Sequence, residues 1–156
     1  ASGIMSLEGG WYRSADDLDG DNPYIRNSEA RGLVGYEQEL VPNLTGGVQY
    51  YVENILDYAA YRAALPAGTT ASDEYRQVAT IRLTKFLMNQ NLRISLFLFY
   101  SPTDHDAYLR PNANYKINDY WIAEIGGNVF IGEKDESFFG QFEDANNIYA
   151  SLRYGF

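Results

Sequence analysis

Apolar and polar residues alternate with a period of two at the end of this chain, a pattern that fits only a strand with two unlike faces. Counting back by twos gives Phe156, Tyr154, Leu152, Ala150 and Ile148, and between them lie Gly155, Arg153, Ser151 and Tyr149. The split recurs upstream. Trp121, Ala123, Ile125, Gly127, Val129 and Ile131 alternate with Ile122, Glu124, Gly126, Asn128 and Phe130. Leu109 to Ile117 and Leu92 to Tyr100 read the same way, with Arg110, Asn112, Asn114 and Lys116, then Arg93, Ser95, Phe97 and Phe99, on the second face. The first half is noisier. Gln77 and Lys85 interrupt the apolar stripe of the segment containing Ile81, and Leu33 breaks the segment from Arg31 to Leu40. With the segments from Thr45 to Glu53 and from Met5 to Tyr12, eight strands are predicted.

The links between them differ in length. Val41-Pro42-Asn43, Asn89-Gln90-Asn91 and Asn118-Asp119 are tight turns built from turn-forming residues. The links at about 14–28, 57–74, 101–106 and 132–147 are mostly longer. Alternate links of a meander lie at the same end, which predicts one short rim and one elaborate rim. No helix is required, although Ala59 to Leu65 suits one helical turn before Pro66 and Gly68 stop it. No linker or low-complexity tract divides the 156 residues, so one domain over 1–156 is predicted.

Composition removes several classes. Aromatic residues make up 15% of the chain, too many for disorder. A net charge of -9 argues against nucleic acid, whose phosphates need surplus Lys and Arg. The absence of Cys removes disulfides, thiolate metal sites and cysteine nucleophiles. No apolar run is long enough for a membrane-spanning helix, and the opening Ala1-Ser2-Gly3 reads as a processed or trimmed start without a signal sequence.

Alternation alone leaves open a water-soluble barrel, apolar inside, and a membrane barrel, apolar outside. Charge placement favours the second. The long links hold 15 of the 21 acidic residues, whereas the strands and tight turns nearly balance, with 8 basic against 6 acidic. A narrow lumen requires such balance, because an unpaired buried charge costs several kcal/mol, roughly, and paired charges hydrogen bond. The expected lumen network is Glu8, Arg31, Glu37, Glu53, Arg82, Arg93, Arg110, Lys116, Glu124 and Arg153, with Tyr149 beside it. Aromatic residues near strand ends, including Trp11, Tyr12, Tyr36, Tyr50, Tyr100, Tyr120, Trp121 and Tyr154, suit two interfacial girdles.

The ending Ile148-Tyr149-Ala150-Ser151-Leu152-Arg153-Tyr154-Gly155-Phe156 resembles the C-terminal strand of bacterial outer-membrane β-barrels. The resemblance implies that Ile148, Ala150, Leu152, Tyr154 and Phe156 form an assembly signal read by the barrel assembly machinery, in an outer membrane of lipids and lipopolysaccharide. More loosely, Arg82 to Phe156 looks like the C-terminal portion of larger porin-like outer-membrane proteins, through Tyr100-Ser101-Pro102-Thr103-Asp104, Gly126-Gly127-Asn128 and Phe138-Phe139-Gly140-Gln141-Phe142.

The resulting expectation is an all-β, eight-stranded antiparallel up-and-down transmembrane β-barrel. Eight strands enclose only enough room for side chains, whereas solute diffusion needs roughly sixteen. The function expected first is therefore a non-catalytic membrane scaffold or very narrow passive channel. The alternative is the C-terminal half of a wider porin-like channel, and a third is an outer-membrane hydrolase with His105, between Asp104 and Asp106, as base. No cofactor and no metal are expected. Asp16-Asp17-Leu18-Asp19-Gly20-Asp21 fails the EF-hand spacing, with Asn22 and Ser28 where Gly and Glu belong. It reads as a solvated loop, as does Glu133-Lys134-Asp135-Glu136. The sequence leaves oligomeric state open.

Overall fold

A computed structural model describes residues 2–132 and 137–155. The chain is all-β: β1 (Ile4–Tyr12), β2 (Glu29–Val41), β3 (Leu44–Ile55), β4 (Tyr75–Leu87), β5 (Leu92–Ser101), β6 (Asp106–Lys116), β7 (Trp121–Gly132) and β8 (Asn147–Tyr154). They lie in chain order in a single antiparallel, up-and-down sheet. Each alternating segment falls on one strand, and the register keeps like faces together. Met5, Tyr36, Val48, Ile81, Leu98, Leu109 and Val129 form one continuous row across seven strands through successive pairs.

That apolar face points outward. Leu7 is 81% exposed, Ile125 56% and Leu152 61%, and among the described residues only Val78 and Phe139 are buried hydrophobic side chains. A barrel built for water would crowd Ile94 and Leu152 into its centre; here they are 43% and 61% exposed. The second face is concave. A cavity of about 220 Å³ is lined from Ile4 on β1 through Gly35, Gln49 and Thr80 to Phe97 on β5. The curl also brings Phe138, in the link after β7, under the Arg76 guanidinium on β4, 5.8 Å from the ring centre.

The expected closure into a barrel is not formed. Among the described residues β1 pairs only with β2 and β8 only with β7, so the sheet keeps two free edges. The filling of the concave face supplies a reason. Wall side chains alone fill an eight-stranded ring, but this face also takes in Phe139 from a link, against Phe99, Tyr108 and Phe130 at 4.7, 5.4 and 6.1 Å between ring centres.

The polar residues that interrupt the outward stripe are satisfied locally near the rims. Gln77 accepts from the Tyr50 hydroxyl, and the Lys85 ammonium donates to the Pro42 carbonyl at 2.9 Å. Leu33 turns inward, in the same row as Tyr51 and Val78. Pro111 has no N–H, and the β6–β7 ladder skips from Leu109↔Val129 to Asn112↔Gly126 around it.

The tight turns use left-handed residues, Asn43 at φ 64° and Met88, Asn89 and Gln90 at 53°, 53° and 70°. The link at 101–106 is shorter than the other three of its rim, because Ser101 pairs directly with Asp106. Helix enters in two short pieces where none was required: α1 (Tyr58–Ala64) and a 3₁₀ turn (Gly140–Ala145). Pro66 disfavours helical backbone at Leu65, whose ψ of 135° ends α1.

Gly126 lies beneath the Tyr149 ring of β8, where an added Cβ would stand 2.5 Å from the ring and 3.0 Å from the Pro111 carbonyl oxygen. Gly126→Ala should therefore lower stability by about 1–3 kcal/mol through overpacking. Gly32→Ala, with nothing within 4 Å of its new Cβ, should not. Urea midpoints of the two refolded variants check this, and equal midpoints would contradict the packing described.

Candidate functional site

The concave face divides into a long-loop end braced by ion pairs and an open region nearer the tight turns. At the sealed end, Glu29 begins β2 as a buried carboxylate. It accepts from Arg26 in the link before β2 at 2.6 and 2.8 Å, and Arg31 bridges it to Glu53, at 3.1 Å from the Glu53 carboxylate. Charge-assisted fork contacts of this kind fix both position and orientation. The Glu29 hydrogen bonds push the Arg26 guanidinium above its ordinary value.

Beside them Arg76 on β4 meets Asp104 at 3.1 Å, and Asp104 accepts from the Ser101 hydroxyl at 2.8 Å. Asp106, fully buried, accepts the Phe139 backbone N–H at 2.7 Å and so pins the link after β7 over the aromatic residues. Its second carboxylate oxygen has no hydrogen-bond partner among the described residues. Tyr108 and Phe130 stack at 4.8 Å, 10° from parallel, beneath Phe139. The long-loop end is thus braced by packed rings and ion pairs, around a cavity of about 420 Å³ lined by Glu29, Glu53, Arg76 and Asp104.

The open region carries Arg82, Arg93 and Arg110; Glu37 shares the row of Arg82, across Gly47, and lines a neighbouring cavity with it. Arg82 on β4, Phe97 on β5 and Arg110 on β6 form one hydrogen-bonding row. The Arg82 guanidinium sits 5.9 Å over the Phe97 ring, and Arg110 lies against the Tyr149 hydroxyl. They share with Arg93 and Glu124 a cavity of about 530 Å³. Glu124 is engaged elsewhere, accepting from Asn112 at 2.8 Å and Asn114 at 3.4 Å, while Asn112 also donates to Tyr149 at 3.1 Å. Among the described residues no ion pair reaches Arg82, Arg93 or Arg110.

The ten-residue network expected from sequence is therefore only partly assembled. Arg31 and Glu53 pair with each other. Lys116 instead reaches Asp119 at 2.7 Å in the turn before β7, and its hydrogen bond and charge lower the Asp119 carboxyl below its ordinary value. Glu8, Glu37, Arg93 and Arg153 are exposed, and no side-chain hydrogen bond or ion pair reaches them among the described residues. Arg82, Arg110 and Glu124 meet a ring, a phenol and amides in place of opposite charge. The sheet is open, so these groups reach water and need no neutralising partner. Sequence reading placed Arg26, Glu29, Asp104 and Asp106 in links and missed their role as clamps. The three-residue spacing of Arg26 and Glu29 is the one local signal of it.

Of the expected assembly signal, Ile148, Ala150, Leu152 and Tyr154 all lie on the outward face of β8, exposed; Phe156 lies outside the described residues. Tyr154 packs on Trp121 at 4.9 Å and on Tyr120 at 6.2 Å, an aromatic group at the tight-turn rim.

His105 is exposed at φ 55°, and the neighbouring Ser101 is fully buried with its hydroxyl given to Asp104. Asp17 in the acidic loop accepts the backbone N–H groups of Gly20, Asp21 and Asn22, so it acts as a loop anchor. Among the described residues no cluster of His and acidic side chains has the arrangement of a metal site. Glu133-Lys134-Asp135-Glu136 lies outside the described residues. Comparison with family models, with curated proteins and with solved structures gave no match to this chain.

Asp106→Ala should free the link after β7 by removing the acceptor of the Phe139 N–H, a loss of about 1–3 kcal/mol in local closure. Chymotryptic cleavage after Phe138 or Phe142 should then accelerate at least several-fold, whereas Asp144→Ala leaves it unchanged. Equal cleavage rates would show that Asp106 does not hold the link.

Proposed function

We propose that this chain is a wall of an outer-membrane diffusion pore wider than eight strands, not a self-contained scaffold and not an enzyme. The observation that carries the reading is the open sheet. Its outward face presents apolar side chains in continuous rows, and its concave face carries the charges, yet among the described residues the outer edges of β1 and β8 remain unpaired. An apolar surface of that extent is a liability in water and an asset against acyl chains. Edge N–H and C=O groups have no substitute partner in hydrocarbon, so strands from outside these eight must pair with both edges.

Strand parity supports this. With eight strands β8 runs antiparallel to β1, so a second copy rotated about the membrane normal offers β1 to β8 and β8 to β1 with the outward faces still outward. The product would have roughly sixteen strands, the size that leaves an aqueous channel. The aromatic residues Tyr120, Trp121 and Tyr154 then lie at one interface, as ring side chains do at the headgroup level.

Reconstituted into planar bilayers, the chain should give stepwise conductance far above a small leak; leak-sized conductance would overturn the pore reading. Facing is tested separately. Ile81→Arg, in the middle of the outward face, should cost about 2–4 kcal/mol when the protein refolds into lipid. Thr45→Arg, inward and opposite Glu39, should change stability by no more than about 0.5 kcal/mol. Equal effects of the two would place lipid on neither face.

A further inference from the structure

We infer that the cavity bounded by Arg82, Arg93 and Arg110 is a binding station for small organic anions that carry a flat apolar body, aromatic monocarboxylates being the best fit. The station deepens the pore reading and rests on it for its place along a permeation path. Three guanidinium groups share the cavity with a single carboxylate, Glu124, and the nearest groups to that carboxylate are the amides of Asn112 and Asn114. The three guanidinium groups outnumber Glu124 and the neighbouring Glu37, so the local balance is cationic although the chain as a whole is at -9. A planar guanidinium offers paired N–H donors that match a carboxylate, and arginines lining a pore favour anions.

The rings supply the second half of the specificity. Phe97 lies between Arg82 and Arg110 in the same row, and Tyr108 stands edge-on to Phe97 at 6.4 Å. A benzene ring slotted beside Phe97 would leave its carboxylate within the arginine cluster. An inorganic anion would use the charge and waste the rings. The cavity, about 530 Å³, is ample for such a molecule with water around it. Arg82 rests on Phe97 and Arg110 lies against Tyr149, and among the described residues no ion pair reaches either. Their donors therefore stay available to a passing solute, and the absence of a deep enclosure suits a site that must also release it.

The test uses the full chain, refolded in detergent, with benzoate, benzamide and acetate titrated by calorimetry. Benzoate should bind at least tenfold more tightly than benzamide, its neutral analogue, and more tightly than acetate. Arg82→Gln with Arg110→Gln should weaken benzoate at least tenfold, and Phe97→Ala should erase its advantage over acetate. If the double variant fails to fold, Arg93→Gln and the three probes on the unaltered chain decide. Equal affinity for benzoate and benzamide, or a folded arginine variant that binds benzoate as well as the parent, overturns the station.

Bilayer recordings separate this claim from the one beneath it. A salt gradient should give a reversal potential of anion sign that falls in the arginine variants. Benzoate binding without any conductance overturns the pore and leaves the station. Conductance with no anion preference overturns the station and leaves the pore.

Discussion

The backbone hydrogen bond, and the requirement that each N–H and C=O find a partner, governs what this sheet can be. Seven ladders satisfy the interior strands, and two edges are left with half their groups turned outward. In water such edges are tolerable and prone to pairing with other chains. In hydrocarbon they are untenable, because nothing there competes for a hydrogen bond. The exposed Leu7 and Ile148 side chains beside those edges make the water alternative costly as well. Both pressures act in one direction, toward additional strands on β1 and β8.

The concave face shows the same logic at the level of side chains. At the long-loop end the carboxylates act as clamps: Glu29 holds two arginines, Asp104 holds Arg76, and Asp106 spends one oxygen on the link that carries Phe139. Where it is open, Arg82 stands on a ring and Arg110 on a phenol, and among the described residues no ion pair reaches either. A narrow closed lumen would demand neutrality throughout, and the lower half of this face does not have it. The arginines without ion pairs and the free sheet edges both agree with the proposed pore, whose interior the wall alone would not fill.

Much of the fold was legible in the sequence, because period-two alternation fixes strand, face and register together, and a slip of one residue would put Arg110 and Glu124 among the outward apolar rows. Closure was not legible. Alternation is a property of each strand and its neighbours, and nothing in it records whether the eighth meets the first. The lumen network was over-read for a related reason: it assumed that charges on one face of a closed ring must pair across it. Phe139 shows the limit most clearly. It lies in an acidic link, and only the third dimension brings it under the Asp106 carboxylate and onto Tyr108.

Charge segregation completes the physical picture of the proposed pore. The long links hold most of the acidic residues, and the anions that the arginines favour would meet them first. Exposed carboxylates on flexible water-facing links act through a field screened within about 8–10 Å at physiological ionic strength. The arginines sit on a curved wall, where low-dielectric surroundings focus their field. The rim can therefore be negative, suited to divalent cations bridging it to lipopolysaccharide, while the passage two or three rows below is positive. On β6 Tyr108 stands between Asp106 and Arg110 on the concave face and stacks on Phe130 and Phe139, so that an apolar group separates the clamp on the link after β7 from the arginine below it.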